Sequence, residues 1–476
     1  MHKGLTALLL AMILSGCALG PDYERPAVDA PRAWRTQAGE ARDAANAAWW
    51  RQLGDPVLDG LIAQALEENK DLAIAAARVQ EYEGRLMATS SGLFPHAQAS
   101  GEGGRVRSSE KEGSLLSNFL ENPRNKYQAV LGASWELDFW GRYRRAGEAA
   151  RADLLSTEEA RLAVALSVAA GVAGGYVTLR DLDSQLIIAK RTAEGQRSTM
   201  DLFEKRARGG VVSDLELNQV RSQYYQATSR IPNIEKLISQ QENALCVLMG
   251  RNPGPIPRGK AIEELAVPAV PPGLPSELLE RRPDIRQAEQ NLVAANARIG
   301  EARALYFPSI SLTGAYGWSS SKLSDLLSGS SRMWSYSGSA TLPIFAGGAI
   351  RGQNMIAEAV QKEALLSYQK AIQNAFREVD DSLTNQRKTR EQLQEQKSQV
   401  DALRGYARIA RARFDNGYTS YLEVLDAERS LFDAEISFAQ TEGTLFTDLV
   451  GLYKAMGGGW GVAGDTPSSP ESTGDR

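Results

Sequence analysis

The chain has 476 residues, 24% of them charged, and a formal net charge of −4, an acidic balance that argues against nucleic acid as a partner. Only two histidines and two cysteines occur, and no group of His, Cys and carboxylate residues has the spacing of metal ligands. Phosphate-loop, nucleophile-elbow and dinucleotide motifs do not occur in a suitable context. We therefore expect a protein that is not an enzyme and holds no cofactor.

The N-terminus has the pattern of a secretion signal. Lys3 precedes an apolar run over residues 5–14, which is too short to cross a bilayer as a helix. The run ends in Leu14-Ser15-Gly16-Cys17, which resembles the processing site of bacterial lipoproteins. We predict a signal peptide over 1–16 and lipidation of Cys17. Since Ala18 rather than Asp follows, we expect the outer membrane; the alternative is an ordinary signal with an incidental cysteine.

The next segment, residues 17–54, is rich in Ala, Pro and Arg and is predicted to be an extended, lipid-anchored tether. Asp55-Pro56 then has the pattern of a helix start, with an N-cap followed by proline in the first turn. The chain contains no run of eighteen apolar residues, so we expect no transmembrane helix. Any membrane-spanning part would have to be a closed β-barrel.

The remaining sequence repeats itself. The segment from Asp71 to Phe94-Pro95 reappears 213 residues later, and Met249-Gly250 reappears as Met456-Gly457 after 207 residues. A repeat of about two hundred residues indicates a duplicated half-protein rather than a solenoid. We assign 55–260 to the first repeat and 261–460 to the second. The tail over 461–476, rich in Ser, Pro and Gly, is predicted to be disordered.

Each repeat is predicted to contain a heptad helix and a long helical hairpin. Apolar residues recur every three or four positions, which favours coiled-coil-like packing. The stripes are Leu72, Ala75, Val79, Tyr82 and Leu86, and Ile285, Ala288, Leu292, Ala295 and Ile299. Long segments without proline then run over 144–208 and 352–415, and glycines follow them at Gly209-Gly210 and Gly417. Glycine at these points indicates that the chain turns there into a further helix.

Four segments alternate between apolar and polar residues, as β-strands do. They span about 96–106, 127–138, 309–318 and 334–343, each near the length of a tilted transmembrane strand. Aromatic residues near the strand ends fit the girdles of a lipid-facing wall. Four strands cannot close a barrel, so several chains would share one. Three chains would supply twelve strands, although other cyclic numbers, and two hairpins on a soluble domain, remain alternatives.

Several strings resemble the outer membrane factor, or TolC-like, efflux family, and most closely its OprM/NodT-type lipoprotein subgroup. They include Gly20-Pro21-Asp22-Tyr23-Glu24-Arg25-Pro26, Arg281-Arg282-Pro283-Asp284-Ile285 and Phe307-Pro308-Ser309-Ile310-Ser311. The resemblance implies an α+β membrane protein that forms a homotrimer. Its four strands per chain would build a twelve-stranded outer-membrane barrel, and its helices a coiled-coil barrel across the periplasm.

The function that this resemblance implies is the outer membrane channel of a tripartite efflux system. The channel would passively conduct drugs or other small molecules from a periplasmic membrane-fusion adaptor and an inner-membrane pump of the resistance-nodulation-division type. Three alternatives remain open. They are a channel for type I protein secretion, a structural coiled-coil envelope lipoprotein without a pore, and a periplasmic enzyme on a helical scaffold.

The resemblance also implies a gate at the periplasmic end. Leu422 would form an apolar ring, Asp426 a carboxylate ring one helical turn later, and Arg429 an ionic latch with a neighbouring helix. A solvated helix residue is the alternative for Asp426, whose counterpart in the first repeat is Gln219. The adaptor would contact the two hairpin tips, through Gly209, Gly210, Val211 and Ser213 and through Gly417, Tyr418 and Ser420.

Overall fold

The computed structural model of the chain describes residues 18–28, 31, 34, 48–107, 109, 122–268 and 278–458. The predicted signal peptide, Cys17, much of the tether and the tail lie outside the described residues. The chain divides into two compact units. The first contains Val79–Thr157, Gln287–Tyr368 and the N-terminal residues up to Ala27. The second contains Val28–Arg78, Glu158–Arg286 and the chain from Gln369 onward, so each unit draws on both repeats.

The helices show the duplication in their lengths. They are α1 Pro56–Glu68, α2 Lys70–Ser90, α3 Arg142–Arg208, α4 Asp214–Leu248, the short α5 Leu278–Arg281, α6 Pro283–Ala304, α7 Ala349–Asp415 and α8 Tyr421–Ala455. The helices α3 and α7 each have 67 residues, and α4 and α8 each have 35. At 1.5 Å per residue, a 67-residue helix is about 100 Å long. The two predicted hairpins are therefore α3–α4 and α7–α8.

The predicted heptad stripes are the buried faces of α2 and α6. In α2, Ala75 is buried and its four stripe partners are half-buried, whereas most other positions are exposed. In α6, the stripe residues Ile285, Leu292, Ala295 and Ile299 are all buried. Next to the stripe of α6, Ala294 and Ala297 pack against Ala149 and Ala152 of α3, and their small side chains permit close approach of the two helices.

The start of α1 follows the sequence prediction. The Asp55 carboxylate accepts a hydrogen bond from the backbone N–H of Val57 at 2.9 Å, and Pro56 occupies the first helical position. Asp55 is fully buried, which an N-cap alone does not require. The Tyr176 hydroxyl of α3 and the Lys260 backbone N–H also donate to this carboxylate, at 2.7 and 3.1 Å. Asp55 therefore joins α1 to α3 and to the 259–260 loop.

One stretch of α3 is apolar enough, by length and composition, to pass for a membrane span, even though it contains no unbroken apolar run. Within the second unit, however, 56% of that stretch is buried. Val172, Ala173, Tyr176 and Val177 are fully enclosed by protein. We therefore interpret the stretch as the core of the helical unit, because a helix that packs on several sides is apolar all round.

The predicted strands form one antiparallel sheet in the order β1-β2-β3-β4. They are β1 His96–Val106, β2 Arg124–Leu137, β3 Ser309–Ser320 and β4 Arg332–Thr341. The prediction of four strands is confirmed. Within the described residues, β1 pairs only with β2 and β4 pairs only with β3, so both edges of the sheet are open.

The register of the sheet separates an apolar face from a polar face. Leu131 lies opposite Tyr316, and Tyr316 lies opposite Trp334. Ser134, Thr313 and Ser337 form the corresponding row on the other face, where the Thr313 and Ser337 hydroxyls are 2.7 Å apart. The large apolar side chains are exposed in the single chain, at 57% for Leu131 and 67% for Trp334. A sheet with these two faces separates an apolar phase from an aqueous one.

Candidate functional site

The two hairpin tips have the same backbone conformation. Gly210 and Gly417 have φ of +71° and +74°, the left-handed region in which glycine lacks the steric penalty of other residues. The N–H of the next residue closes each turn, from Val211 to the Arg206 carbonyl at 2.9 Å and from Tyr418 to the Arg413 carbonyl at 2.8 Å. Val211 is 75% exposed and its counterpart Tyr418 is 77% exposed. Each tip therefore presents one apolar side chain to its surroundings.

The helix caps next to the tips differ between the repeats. Ser213 and Glu216 form a reciprocal capping box, in which each side chain accepts from the other residue's backbone N–H. The counterpart Ser420 makes no side-chain cap bond. At this second tip, Glu423 instead accepts from the Thr419 hydroxyl and forms an ion pair with Arg413 at 3.3 Å. The structure of the second tip therefore depends more on an ion pair than that of the first tip does.

An aromatic cluster lies beneath the tips and joins the two hairpins. Tyr421 of α8 packs against Phe203 of α3, with ring centroids 4.3 Å apart, and against Phe414 of α7 at 5.0 Å. The Arg411 guanidinium lies over the Tyr421 ring and forms an ion pair with Glu428 at 3.6 Å. Burial raises the pKa of Glu428, and Arg411 partly offsets that effect. These contacts thus hold the two hairpins together next to their tips.

The predicted gate residues lie on one exposed strip of α8. Leu422 is 59% exposed, and Asp426 follows one helical turn later. The Arg429 guanidinium donates to the Asp426 carboxylate at 2.8 Å, with both side chains half-exposed. In the single chain Arg429 thus pairs along its own helix, and its contact with a neighbouring helix stays a prediction. The three residues are close together and accessible to another copy.

A groove of about 190 Å³ adjoins the predicted gate residues. Gln219, Ser222 and Gln223 of α4 line it together with Leu422, Leu425, Asp426 and Arg429 of α8. Gln219 and Asp426 are counterparts in the duplication, and the fold places them in the same groove. The carboxylate therefore faces neutral amides, so in the single chain its only charged partner among the lining residues is Arg429.

A buried carboxylate that sequence analysis missed ties the hairpins together. Glu435 of α8 is only 7% exposed and accepts hydrogen bonds from Arg191 of α3 and, at 2.9 Å, from Arg404 of α7. A buried charge requires such partners, because desolvation otherwise makes it costly. Glu435 lies between Phe432 and Ile436 on the apolar stripe of α8. The sequence contains one signal for this residue, which is a carboxylate within an otherwise apolar stripe.

The residues that follow Cys17 are docked onto the first unit. The Leu19 backbone N–H donates to the Trp140 carbonyl at 3.2 Å, close to the end of β2. Asp22 pairs with Arg145 of α3 at 2.7 Å, and the Tyr23 hydroxyl donates to Glu289 of α6 at 3.1 Å. The first residues of the predicted tether are therefore fixed to the protein, at the point where β2 ends and α3 begins.

Comparison with known proteins identifies the family. The family model described as outer membrane efflux protein matches the chain twice, over residues 61–251 and 274–458. The chain is 36% identical over 457 residues to the cation efflux system protein CusC of Escherichia coli O6:H1, covering 95% of this chain and 97% of CusC. It is also 36% identical over 460 residues to the solvent efflux pump outer membrane protein SrpC of Pseudomonas putida, covering 95% and 97%.

The fold is likewise similar to a solved channel. The crystal structure of the open state of the Neisseria gonorrhoeae MtrE outer membrane channel matches with a TM-score of 0.84 and 32% identity, covering 93% of this chain and 98% of that one. The resemblance found in the sequence is thereby confirmed. The chain belongs to the outer membrane efflux protein family.

Proposed function

We propose that three copies of this chain form a continuous channel through which an efflux system expels small molecules across the outer membrane. The observation that carries the proposal is the open four-stranded sheet with one apolar and one polar face. In a bilayer, unpaired backbone groups at a sheet edge are costly, and four strands are too few to close a barrel. Pairing β1 of one copy with β4 of the next satisfies both edges, and three copies give twelve strands.

The helices support the same assembly. Outside its buried stripe, α7 exposes several large apolar side chains, namely Met355, Ile356, Val360, Leu366 and Ile409. Met355, Ile356 and Val360 lie within two turns of one another, and apolar side chains exposed together in this way are typical of a protein contact. We assign this surface to neighbouring copies, so that the hairpins of three chains form the wall of a periplasmic tunnel.

Conduction through such a tunnel requires no catalytic residue, because the solute moves passively. An inner-membrane pump of the resistance-nodulation-division type would supply the energy, and a periplasmic adaptor would contact the tips around Val211 and Tyr418. The resting channel must be closed to prevent leakage. We assign closure to Leu422 and Asp426, whose three copies would form an apolar ring and a ring of carboxylates that repel one another and attract cations.

These similarities do not identify the exported molecules, and we assign their selection to the pump. One relative is named for cation efflux and another for solvent efflux, and the chain is equally similar to both, at 36% identity.

Wild-type protein should migrate as an SDS-resistant trimer that dissociates on boiling, and it should give small, infrequent openings in planar bilayers. A monomer in mild detergent together with a complete lack of conductance would refute the channel assignment.

We further propose that Cys17 carries the lipid anchor. Cells fed labelled palmitate should incorporate the label into the wild-type protein and not into Cys17→Ala, because acylation requires that thiol. The matched control is Cys246→Ala, since Cys246 is buried and donates to the Gly254 carbonyl. Label that persists in Cys17→Ala would disprove the anchor assignment.

A further inference from the structure

A cavity in the second unit involves a different stretch of α8 from the predicted gate. It has a volume of about 330 Å³ and lies among α3, α7, α8 and the 3-10 turn Ile262–Glu264. Its apolar lining includes Ile187, Ile188, Ile262, Val400, Phe438 and Ala439. A cavity of this size with a mostly apolar lining is typical of small-molecule sites.

Most charged groups of the cavity wall are already neutralised. Glu435 binds Arg191 and Arg404, and Arg404 also approaches Asp401 at 3.5 Å. The two negative charges of these carboxylates balance the two positive charges of these guanidinium groups. Asp183 in turn pairs with Arg180 at 2.6 Å. None of these groups requires a ligand to balance its charge.

Two carboxylates are left without a cation. Among the described residues, Glu442 has neither a hydrogen-bond donor nor an ion-pair partner, and the donor to Glu263 is the neutral Ser184 hydroxyl at 3.2 Å. Lys397 also lines the cavity, is exposed and forms no ion pair within the described chain. Burial, together with the negative charges of Glu263 and Asp181, raises the pKa of Glu442 to about 7. The cavity therefore has an excess of uncompensated negative charge at one end.

We propose that this cavity binds a monovalent organic cation with an apolar body. The cationic group would lie between Glu442 and Glu263, where it replaces their mutual repulsion with attraction. The apolar body would cover Ile188, Val400 and the ring of Phe438, which also offers a face to a cation. Because α3 comes from the first repeat and α7 and α8 from the second, the ligand would bridge the two hairpins. The residues of this site are different from those that line the groove at the predicted gate.

Calorimetric titration of the detergent-solubilised full-length protein with benzyltrimethylammonium tests the proposal. We expect saturable binding of one ligand per chain, and no binding of benzyl alcohol, which has the ring without the charge. Glu442→Gln keeps the shape of the side chain and removes its charge, so it should weaken binding about tenfold, which corresponds to about 1.4 kcal/mol. The matched control, Asp401→Asn, removes a carboxylate at the rim that already has a cation, and should change affinity by less than about twofold.

The pH dependence supplies an independent readout. Ionised Glu442 favours binding, so wild-type affinity should fall as the pH is lowered from 8 to 5.5 through the raised pKa, whereas Glu442→Gln should show a clearly smaller fall. The charged groups around Glu442 are Asp181 of α3 and the groups that line the cavity, namely Arg180, Asp183 and Arg191 of α3, Glu263 of the turn, Lys397, Asp401 and Arg404 of α7 and Glu435 of α8. Among these, burial also raises the pKa of Asp181, to about 6, so it contributes to the same loss.

Three results would overturn the proposal. The first is an absence of saturable binding at millimolar ligand, and the second is equal affinity of wild-type and Glu442→Gln protein. The third is an equal loss in Glu442→Gln and Asp401→Asn, which would indicate general attraction of cations rather than a site. None of these results affects trimer formation or conductance, so failure here is distinguishable from failure of the proposed channel.

Discussion

Asp426→Ala should open the resting channel, with single-channel recordings showing an open population on the order of tenfold higher than in the wild type. The substitution would remove the proposed ring of carboxylates, and it removes the carboxylate that accepts from the Arg429 guanidinium at 2.8 Å. Without the proposed anionic ring, the constriction would no longer attract cations between the three copies, and Arg429 would lose its carboxylate partner. The same variant should make cells more permeable to large antibiotics that the closed channel excludes.

The duplication provides the matched control for this experiment. Gln219 is the first-repeat counterpart of Asp426 and lines the same groove, but it carries no charge. Gln219→Ala should therefore leave the conductance close to that of the wild type. Asp426→Ala protein that forms trimers and conducts like the wild type would refute the gate assignment while leaving the channel function intact.

Asp55→Ala should destabilise the helical unit by about 3 kcal/mol, which is large for a single substitution. The change removes the N-cap acceptor of α1 and leaves the buried Tyr176 hydroxyl without an acceptor for its proton and the Lys260 N–H without its partner. The measurement is the midpoint of the heat-induced loss of helical circular dichroism, at one scan rate and in one detergent. The midpoint should fall by several degrees.

Two variants separate the causes of that loss. Tyr176→Phe retains the N-cap and removes the buried hydroxyl, so it should cost about 1–2 kcal/mol. Asp71→Ala removes an exposed carboxylate from the first turn of α2 and should change stability by less than about 0.5 kcal/mol. A midpoint for Asp55→Ala equal to that of Asp71→Ala would show that the buried network contributes little.

The strands and hairpins were predictable because each depends on short-range periodicity. Alternation over 127–138 reflects a strand with two different faces, and Leu131 and Trp135 lie on the apolar face as that pattern requires. Glycine next to long helical segments marked the turns, since Gly210 and Gly417 occupy left-handed conformations. Matching lengths in the two repeats followed from the duplication itself.

Long-range contacts were not predictable in this way. The partners of Glu435 are Arg191 and Arg404, which come from two other helices. The docking of Asp22 on Arg145 and the closeness of Gln219 to Asp426 likewise join residues that are far apart in the chain. A carboxylate within an apolar stripe marks Glu435 as unusual, but no local pattern indicates which distant residues are its partners.

The sequence by itself determined the secondary structure, the duplication and the two-faced character of the sheet, because these depend on neighbouring residues and on which side chains can face lipid or water. The tertiary structure decided which carboxylates are paired and which are left without a cation. Asp55 and Glu435 are buried and fully partnered, whereas Glu442 faces other carboxylates. The reason is physical: the cost of a buried charge depends on the groups that folding brings within a few ångströms, and those groups come from distant parts of the chain.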